Sequence, residues 1–300
     1  MTLNTVQNVD DVYYTDTGSF ENHGHVATYI VDGEESIVVD PGFSTSLERL
    51  IDALASLGID DGGLDYIAVT HVHLDHAGAV GYLAEEYPEA TVLCHEAGVD
   101  FLTDEAKLER LLSGVKKAVG ELADQYGTAT PVPRDRVRVL TDGDTIAFED
   151  RTFEVLHATG HAPHQMCLYD RTNKALFVAD ECGEFLDGDL YPTTPPPDFD
   201  LAANLRSLER FRELEIETLL YPHYGPKSDP ESTFDDYAEQ LQAWVAEVEA
   251  SWETHQDESA VVDSFVDSDH PKYDVWKPET AREVIRMDVS GALRYVKSSR

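Results

Sequence analysis

The run His71-Val72-His73-Leu74-Asp75-His76 places four side chains able to bind a metal within six residues. It follows Tyr66–Val69, a short apolar stretch that reads as a buried strand. Whatever the chain folds into must end a strand at this run. Imidazole and carboxylate donors suit zinc, iron or manganese. One strand end does not wrap four donors comfortably around a single ion. Alternate residues of extended backbone point to the same side, so His71 and His73 can serve one ion. Asp75 and His76, past a turn, can reach a second.

The rest of the chain alternates strands with helices. Val26–Val31 and Ser36–Asp40 read as strands joined by a turn at Asp32-Gly33, the second ended by Pro41-Gly42. Helices are expected at Ser44–Leu57, where Leu47, Leu50, Ile51 and Leu54 repeat at helical spacing, and at Ala79–Glu86, with a strand at Ala90–Cys94. Ala97–Tyr126 reads as a long helical insertion near the mouth of the site. Strands return at Val137–Leu140, Thr145–Phe148, Thr152–His157, Met166–Tyr169 and Ala175–Val178. A Pro-rich loop, Leu190–Asp200, precedes a helix at Leu201–Leu214 and a last short strand at Thr218–Tyr221. Ser232–Glu253 is helical, with Ser232 and Asp235 as a capping box. The tail, Ser259–Arg300, forms a small helical appendage with apolar pieces at Ala281–Arg286 and Ala292–Val296. This alternation implies an α/β layered domain.

The 300 residues carry 22 Lys plus Arg against 59 Asp plus Glu, a net charge of −37. The acids are dispersed along the chain. Such a surface repels itself at low salt and is tolerated when salt screens it, so a halophilic host with a salty cytoplasm is expected. It makes nucleic acid an unlikely partner. No stretch approaches the roughly 20 apolar residues of a membrane span, and Met1–Asp11 shows no signal-peptide pattern. The expectation is a soluble, cytoplasmic protein acting on a small molecule, with no nucleic-acid or membrane partner. The insertion or the tail could also form a homodimer face. Cys94, Cys167 and Cys182 show no paired spacing and read as small core residues rather than a disulfide framework.

The motifs resemble those of the metallo-β-lactamase superfamily. Thr70–Gly78 reads Thr-His-Val-His-Leu-Asp-His-Ala-Gly, that family's most recognisable run. Asp40 matches its early aspartate, and Thr159-Gly160-His161-Ala162-Pro163-His164 matches its third motif. Asp180 stands where the bridging carboxylate is found, and His223, in Tyr221-Pro222-His223-Tyr224-Gly225, where the final histidine is. All five occur in order between Asp40 and His223.

The resemblance implies a four-layer αββα sandwich, here with a helical insertion and a short C-terminal helical appendage. The catalytic domain is then expected over 1–231, with a helical extension over 232–300, which the resemblance does not cover, packed on it. The resemblance also implies that His71, His73 and His161 hold one metal, that Asp75, His76 and His223 hold a second, and that Asp180 bridges them. Two zinc ions are the expected cofactor, with iron or manganese as alternatives. A hydroxide held between the two ions would then cleave a small ester, thioester or lactone, as in the glyoxalase II-like branch. The basic helices by which that branch binds glutathione are not recognisable here. The alternatives are a mononuclear iron oxidoreductase resembling persulfide dioxygenases, and a phosphodiesterase. Asp75 and His164 are the candidate catalytic residues, with Asp40 and His164 also candidates for orienting the ligands. His23, His25, His95, Tyr191, Tyr224 and Lys227 are weaker candidates for the rim. His157 reads as a core histidine, and His255 and His270 as surface residues.

Overall fold

The computed structural model describes residues 3–19, 24–60, 62–149 and 151–299. The first half of the chain builds a seven-stranded sheet in sequence order: β1 (Leu3–Thr5), β2 (Val12–Asp16), β3 (Ala27–Asp32), β4 (Ser36–Val39), β5 (Tyr66–Val69), β6 (Thr91–His95) and β7 (Val137–Leu140). The first four pair antiparallel and β4 to β7 pair parallel. Parallel pairing requires crossovers. These are supplied by α1 (Leu47–Ser56), by α2 (Leu74–Ala77) with α3 (Val80–Glu86), and by α4 (Val99–Thr103), α5 (Glu105–Val119) and α6 (Ala123–Tyr126).

The second half supplies β8 (Thr145–Ala147), β9 (Thr152–His157), β10 (Met166–Asp170), β11 (Ala175–Phe177), a separate hairpin of β12 (Glu184–Leu186) and β13 (Asp189–Tyr191), β14 (Thr218–Tyr221) and β15 (Gly225–Ser228). The six-stranded sheet runs β15-β14-β11-β10-β9-β8. Helix α7 (Leu201–Arg212) crosses from β11's side to β14, which lies parallel to β11. The chain then closes with α8 (Pro230–His255), α9 (Glu258–Val266), α10 (Lys272–Val275) and α11 (Pro278–Ser298).

Period-2 alternation sorts the strand residues into layers. On β4, Ile37 and Val39 face the second sheet's Phe153, Val155, Leu168 and Phe177, while Val38 packs with α1 and α3 through Leu54 and Leu83. On β10, Met166 and Leu168 join the space between the sheets, while Cys167 and Tyr169 pack beneath Leu208 and Phe211 of α7 and Phe234 and Tyr237 of α8. Three stacked cores separate four layers, which is the expected αββα sandwich. The three cysteines are buried and free, as expected of core residues.

Several expectations need correction. The Ala97–Tyr126 insertion is broken, because Asp104 is extended and its side chain accepts from Lys107 N to start α5, while Gly120, at φ 55°, ends it. Thr218–Tyr221 is not the last strand: β15 pairs with it, carrying Pro226 at a sheet edge, where a missing N–H is tolerated. The Ser232–Asp235 capping box does not form. Ser232 Oγ instead donates to Asp229 Oδ2 at 2.8 Å, and α8 begins earlier, at Pro230. The two apolar pieces of the tail belong to one helix, α11. A fourth apolar cluster ties this tail to the sandwich, joining Val289, Ala292 and Trp276 to Val26, Phe43 and Leu186.

Candidate metal centre

The C-terminal ends of β4, β5, β11 and β14 and the loop between β9 and β10 meet at one edge of the sandwich. Each delivers ligand-type side chains there. His71, His73 and His161 form one group whose ligand atoms lie within 4.8 Å of one another, and Asp75, His76 and His223 form another. His71, His76 and Asp180 form a third group between them.

The hydrogen bonds fix which imidazole nitrogen faces inward. His76 donates from Nδ1 to Asp40 Oδ2 at 3.0 Å. His223 donates from Nδ1 to the His25 carbonyl at 2.8 Å. Thr70 spends its hydroxyl proton on Asp40 Oδ2 at 2.7 Å, so its oxygen is left to accept from His71 Nδ1 at 3.1 Å. Thr193 donates likewise to the Asp180 carbonyl at 3.1 Å and accepts from His161 Nδ1 at 3.3 Å. All four histidines therefore present Nε2 to the centre, held there by partners on their far side. His73 presents Nδ1, 3.0 Å from His71 Nε2 and 3.1 Å from His161 Nε2.

Asp180 stands between the groups. Its Oδ2 lies 3.4 Å from His161 Nε2 and 3.9 Å from His71 Nε2. Its Oδ1 lies 3.5 Å from His76 Nε2 and 3.6 Å from His223 Nε2. Among the described residues, that buried Oδ1 has no hydrogen-bond partner, which is costly unless a cation takes that place. The convergence of three imidazole nitrogens in the first group makes the same point. The donor set fits divalent metal.

Electrostatics separate the two groups. Burial drives the pKa of His71 well below the ordinary histidine value and that of His161 down to about 3, so these rings are neutral lone-pair donors. In the second group burial is outweighed. Asp180 and Asp75 raise His76 and push His223 up to about 9. Against the cost of burial, His76 and His223 hold Asp75 and Asp180 well below the usual carboxylate range. Protons there occupy places a metal would take, so binding releases them.

Asp40 sits where the sequence placed it, as the acceptor for Thr70 and His76. His164 is outside the ligand groups. Its Nδ1 accepts from Val72 N at 3.5 Å, within the ligand run, and its ring lies parallel to that of His71 at 6.2 Å. His25 is buried beside His223 through its backbone contact. His95 is buried and stacked on His157 at 3.8 Å; His157 is half-buried rather than a core residue. Tyr191 packs in the apolar cluster of the tail. Lys227 lies over the Phe185 ring, 5.2 Å from its centroid. His255 is exposed and His270 half-buried. His23 falls outside the described residues.

Sequence reasoning missed Glu181 and Thr193. Glu181 is fully buried and accepts from Gly160 N, His161 N and Gln165 Nε2 at 3.0, 3.1 and 2.8 Å. It anchors the loop that carries His161. Its only sequence signal was a second acid directly after Asp180.

The fold and the facing ligand groups define the class: an αββα sandwich with a histidine- and aspartate-rich metal centre between its sheet ends. The profile of the family described as Metallo-beta-lactamase superfamily matches residues 22–223, and the chain belongs to that superfamily. A metallo-beta-lactamase fold-containing protein of Sulfurisphaera tokodaii is 30% identical over 199 residues, covering 66% of this chain and 72% of that one. The crystal structure of that archaeal protein aligns with a TM-score of 0.71 at 24% identity, over 96% of this chain and 98% of that one. A human protein named acyl-coenzyme A thioesterase is 29% identical over 192 residues, 57% of this chain and 63% of that one. A hydroxyacylglutathione hydrolase of Aeromonas hydrophila is 28% identical over 186 residues, 62% of this chain and 55% of that one. Among the described residues, no helix is long and apolar enough to cross a membrane.

Proposed function

We propose that the chain is a metal-dependent hydrolase that cleaves a small ester, thioester or lactone at a dinuclear centre. The observation that carries this reading is the division of Asp180, one oxygen facing His71 and His161 and the other facing His76 and His223. His71, His73 and His161 would hold one ion, Asp75, His76 and His223 the other, and Asp180 both. Zinc suits these donors, as do iron and manganese. Two such cations would lower the pKa of water toward neutrality and polarise the scissile carbonyl.

The chain's own residues supply the rest. Hydrolysis adds the oxygen of water to the acyl carbon and breaks that carbon's bond to sulfur or oxygen. The displaced group leaves as the thiol or alcohol. Asp75 is the candidate proton acceptor. It is ionised, and it is the more open of the two carboxylates, 21% exposed against 5% for Asp180. His164, bonded to the backbone between His71 and His73, holds the ligand run in place. The named activities of two relatives, both thioester cleavages, put thioesters first in line. A glutathione thioester is disfavoured by the lack of a recognisable basic binding helix.

The test is metal analysis of the purified chain beside His76→Ala, with thioesterase activity measured in both. About two equivalents of metal in the parent, falling toward one in the variant with loss of turnover, is the expected result. About one equivalent of iron, unchanged by the substitution, would overturn the dinuclear hydrolase in favour of an oxygenase.

A further inference from the structure

A cavity of about 590 Å³ lies beside the second ligand group, within the size range of small-molecule pockets. Its apolar lining is Phe185 and Leu186 from the β12–β13 hairpin, Tyr224, and Val275 and Trp276 at the end of α10, and a comparable share of the lining is polar, at Gly24, Asp187, Gly188 and Asp274. It shares a wall with the metal centre. Tyr224 directly follows His223, and the lining residue His25 is the one whose carbonyl accepts from His223. The His25 ring lies 5.5 Å from that of His223 and 3.8 Å from that of Trp276.

Charge at this cavity is one-sided. Among the described residues that line it, Asp187 and Asp274 are the charged ones. Both are exposed, and neither makes an ion pair with a described residue. The nearby Lys272 is buried and committed to Asp288 and Glu184, at 2.7 and 3.1 Å. Lys227 covers the Phe185 ring and is not part of the lining.

We propose that this cavity receives an uncharged, apolar portion of the substrate, with Trp276 of the C-terminal extension as a specificity-determining residue and Asp187 and Asp274 turning away anionic groups. The proposal rests on the hydrolase reading and narrows its substrate class to neutral acyl compounds. It also gives the extension a task at the site: it supplies one wall of the substrate pocket.

The experiment uses the metal-loaded full chain and N-acetylcysteamine thioesters, with acyl groups from acetyl to octanoyl and matched acyl groups ending in a carboxylate. For neutral chains kcat/KM should rise about fourfold per methylene until the cavity is filled, as burial of each methylene predicts. The carboxylate-ended series should lag behind. Trp276→Ala should flatten the neutral series. The exposed double substitution Asp187→Lys with Asp274→Lys should raise kcat/KM for the carboxylate-ended series about tenfold relative to neutral acyl groups of matched length. A flat neutral series, or a double variant with unaltered charge preference, overturns the proposal. If no thioester, ester or lactone is cleaved, the hydrolase reading fails separately, and binding still tests the cavity. Octan-1-ol should then shift tryptophan emission to shorter wavelength in the parent but not in Trp276→Phe, and octanoate should bind much more weakly. Equal binding of the two, or none, overturns it.

Discussion

At the scale of single residues, the ligands were legible because each announces itself by type and local spacing. His71, His73, Asp75 and His76 need only the strand before them to be read. The residues that orient them were less so. Asp40 was found, since it ends a strand at a matching position. Glu181 and Thr193 were not, because they lie 20 and 32 residues away in sequence from the His161 they hold. Glu181 leads to a prediction. Glu181→Gln would turn an amide toward backbone N–H donors at Gly160 and His161, loosening His161. Metal affinity of the first group should fall about 10- to 100-fold, read by chelator competition. The second group should be spared. Equal loss at both groups would mean that the loop is scaffold for the whole centre.

At the scale of elements, strands with apolar runs were legible almost to the residue, as Tyr66–Val69 and Thr152–His157 show. Two elements that escaped, β2 with Val12, Tyr13 and Tyr14 and α9 with Val261, Val262 and Phe265, carry such runs and were passed over; the others lack them. β15 contains a proline and a lysine, and β12 and β13 span three residues each, so tertiary pairing rather than propensity defines them. Helix α11 shows the same override in its packing. A Cβ on Gly291 would come 1.9 Å from the Thr194 carbonyl, whereas one on Gly114 of α5 would meet nothing within 4 Å. Helix propensity alone favours alanine at both by about 1 kcal/mol. Gly114→Ala should therefore raise the melting temperature, while Gly291→Ala should lower it by forcing α11 off the loop, a cost of about 1–3 kcal/mol or more. Two stabilised variants would show that α11 is not docked so closely.

The joint before α10 gives a pH test. His270 accepts from Lys272 N at 3.2 Å and packs on the edge of Trp244. Burial, then the charge on Lys272, lowers its pKa to about 4. Between its ordinary value of 6.5 and about 4 the unfolded chain binds more protons at this position than the folded one. Its contribution to stability is thus intact above 6.5 and lost as pH falls toward 4. Denaturant midpoints of the parent and of His270→Asn, compared across that window, should converge on acidification. Parallel curves would mean that the ring titrates normally.

At the scale of the whole molecule, 59 acids face 22 bases, so most carboxylates have no cation to pair with and the folded state concentrates their repulsion. Surface pairs such as Arg171–Glu154 and Arg210–Asp142 are each worth little and weaken with salt. The repulsion they leave uncompensated weakens with salt too, and with an excess of 37 negative charges it outweighs the attraction within those pairs. Salt should therefore stabilise the fold. The shape of the response identifies the cause. Screening is nearly complete by about 1 M, where the Debye length is about 3 Å, whereas strengthening of apolar burial by excluded salts such as sulfate continues to rise with concentration. In potassium chloride the melting temperature should climb steeply below about 0.5 M and level off near 1 M. A melting temperature that falls with chloride, or rises only in sulfate, would show that the acids are locally compensated and that the charge says nothing about the salt the protein works in.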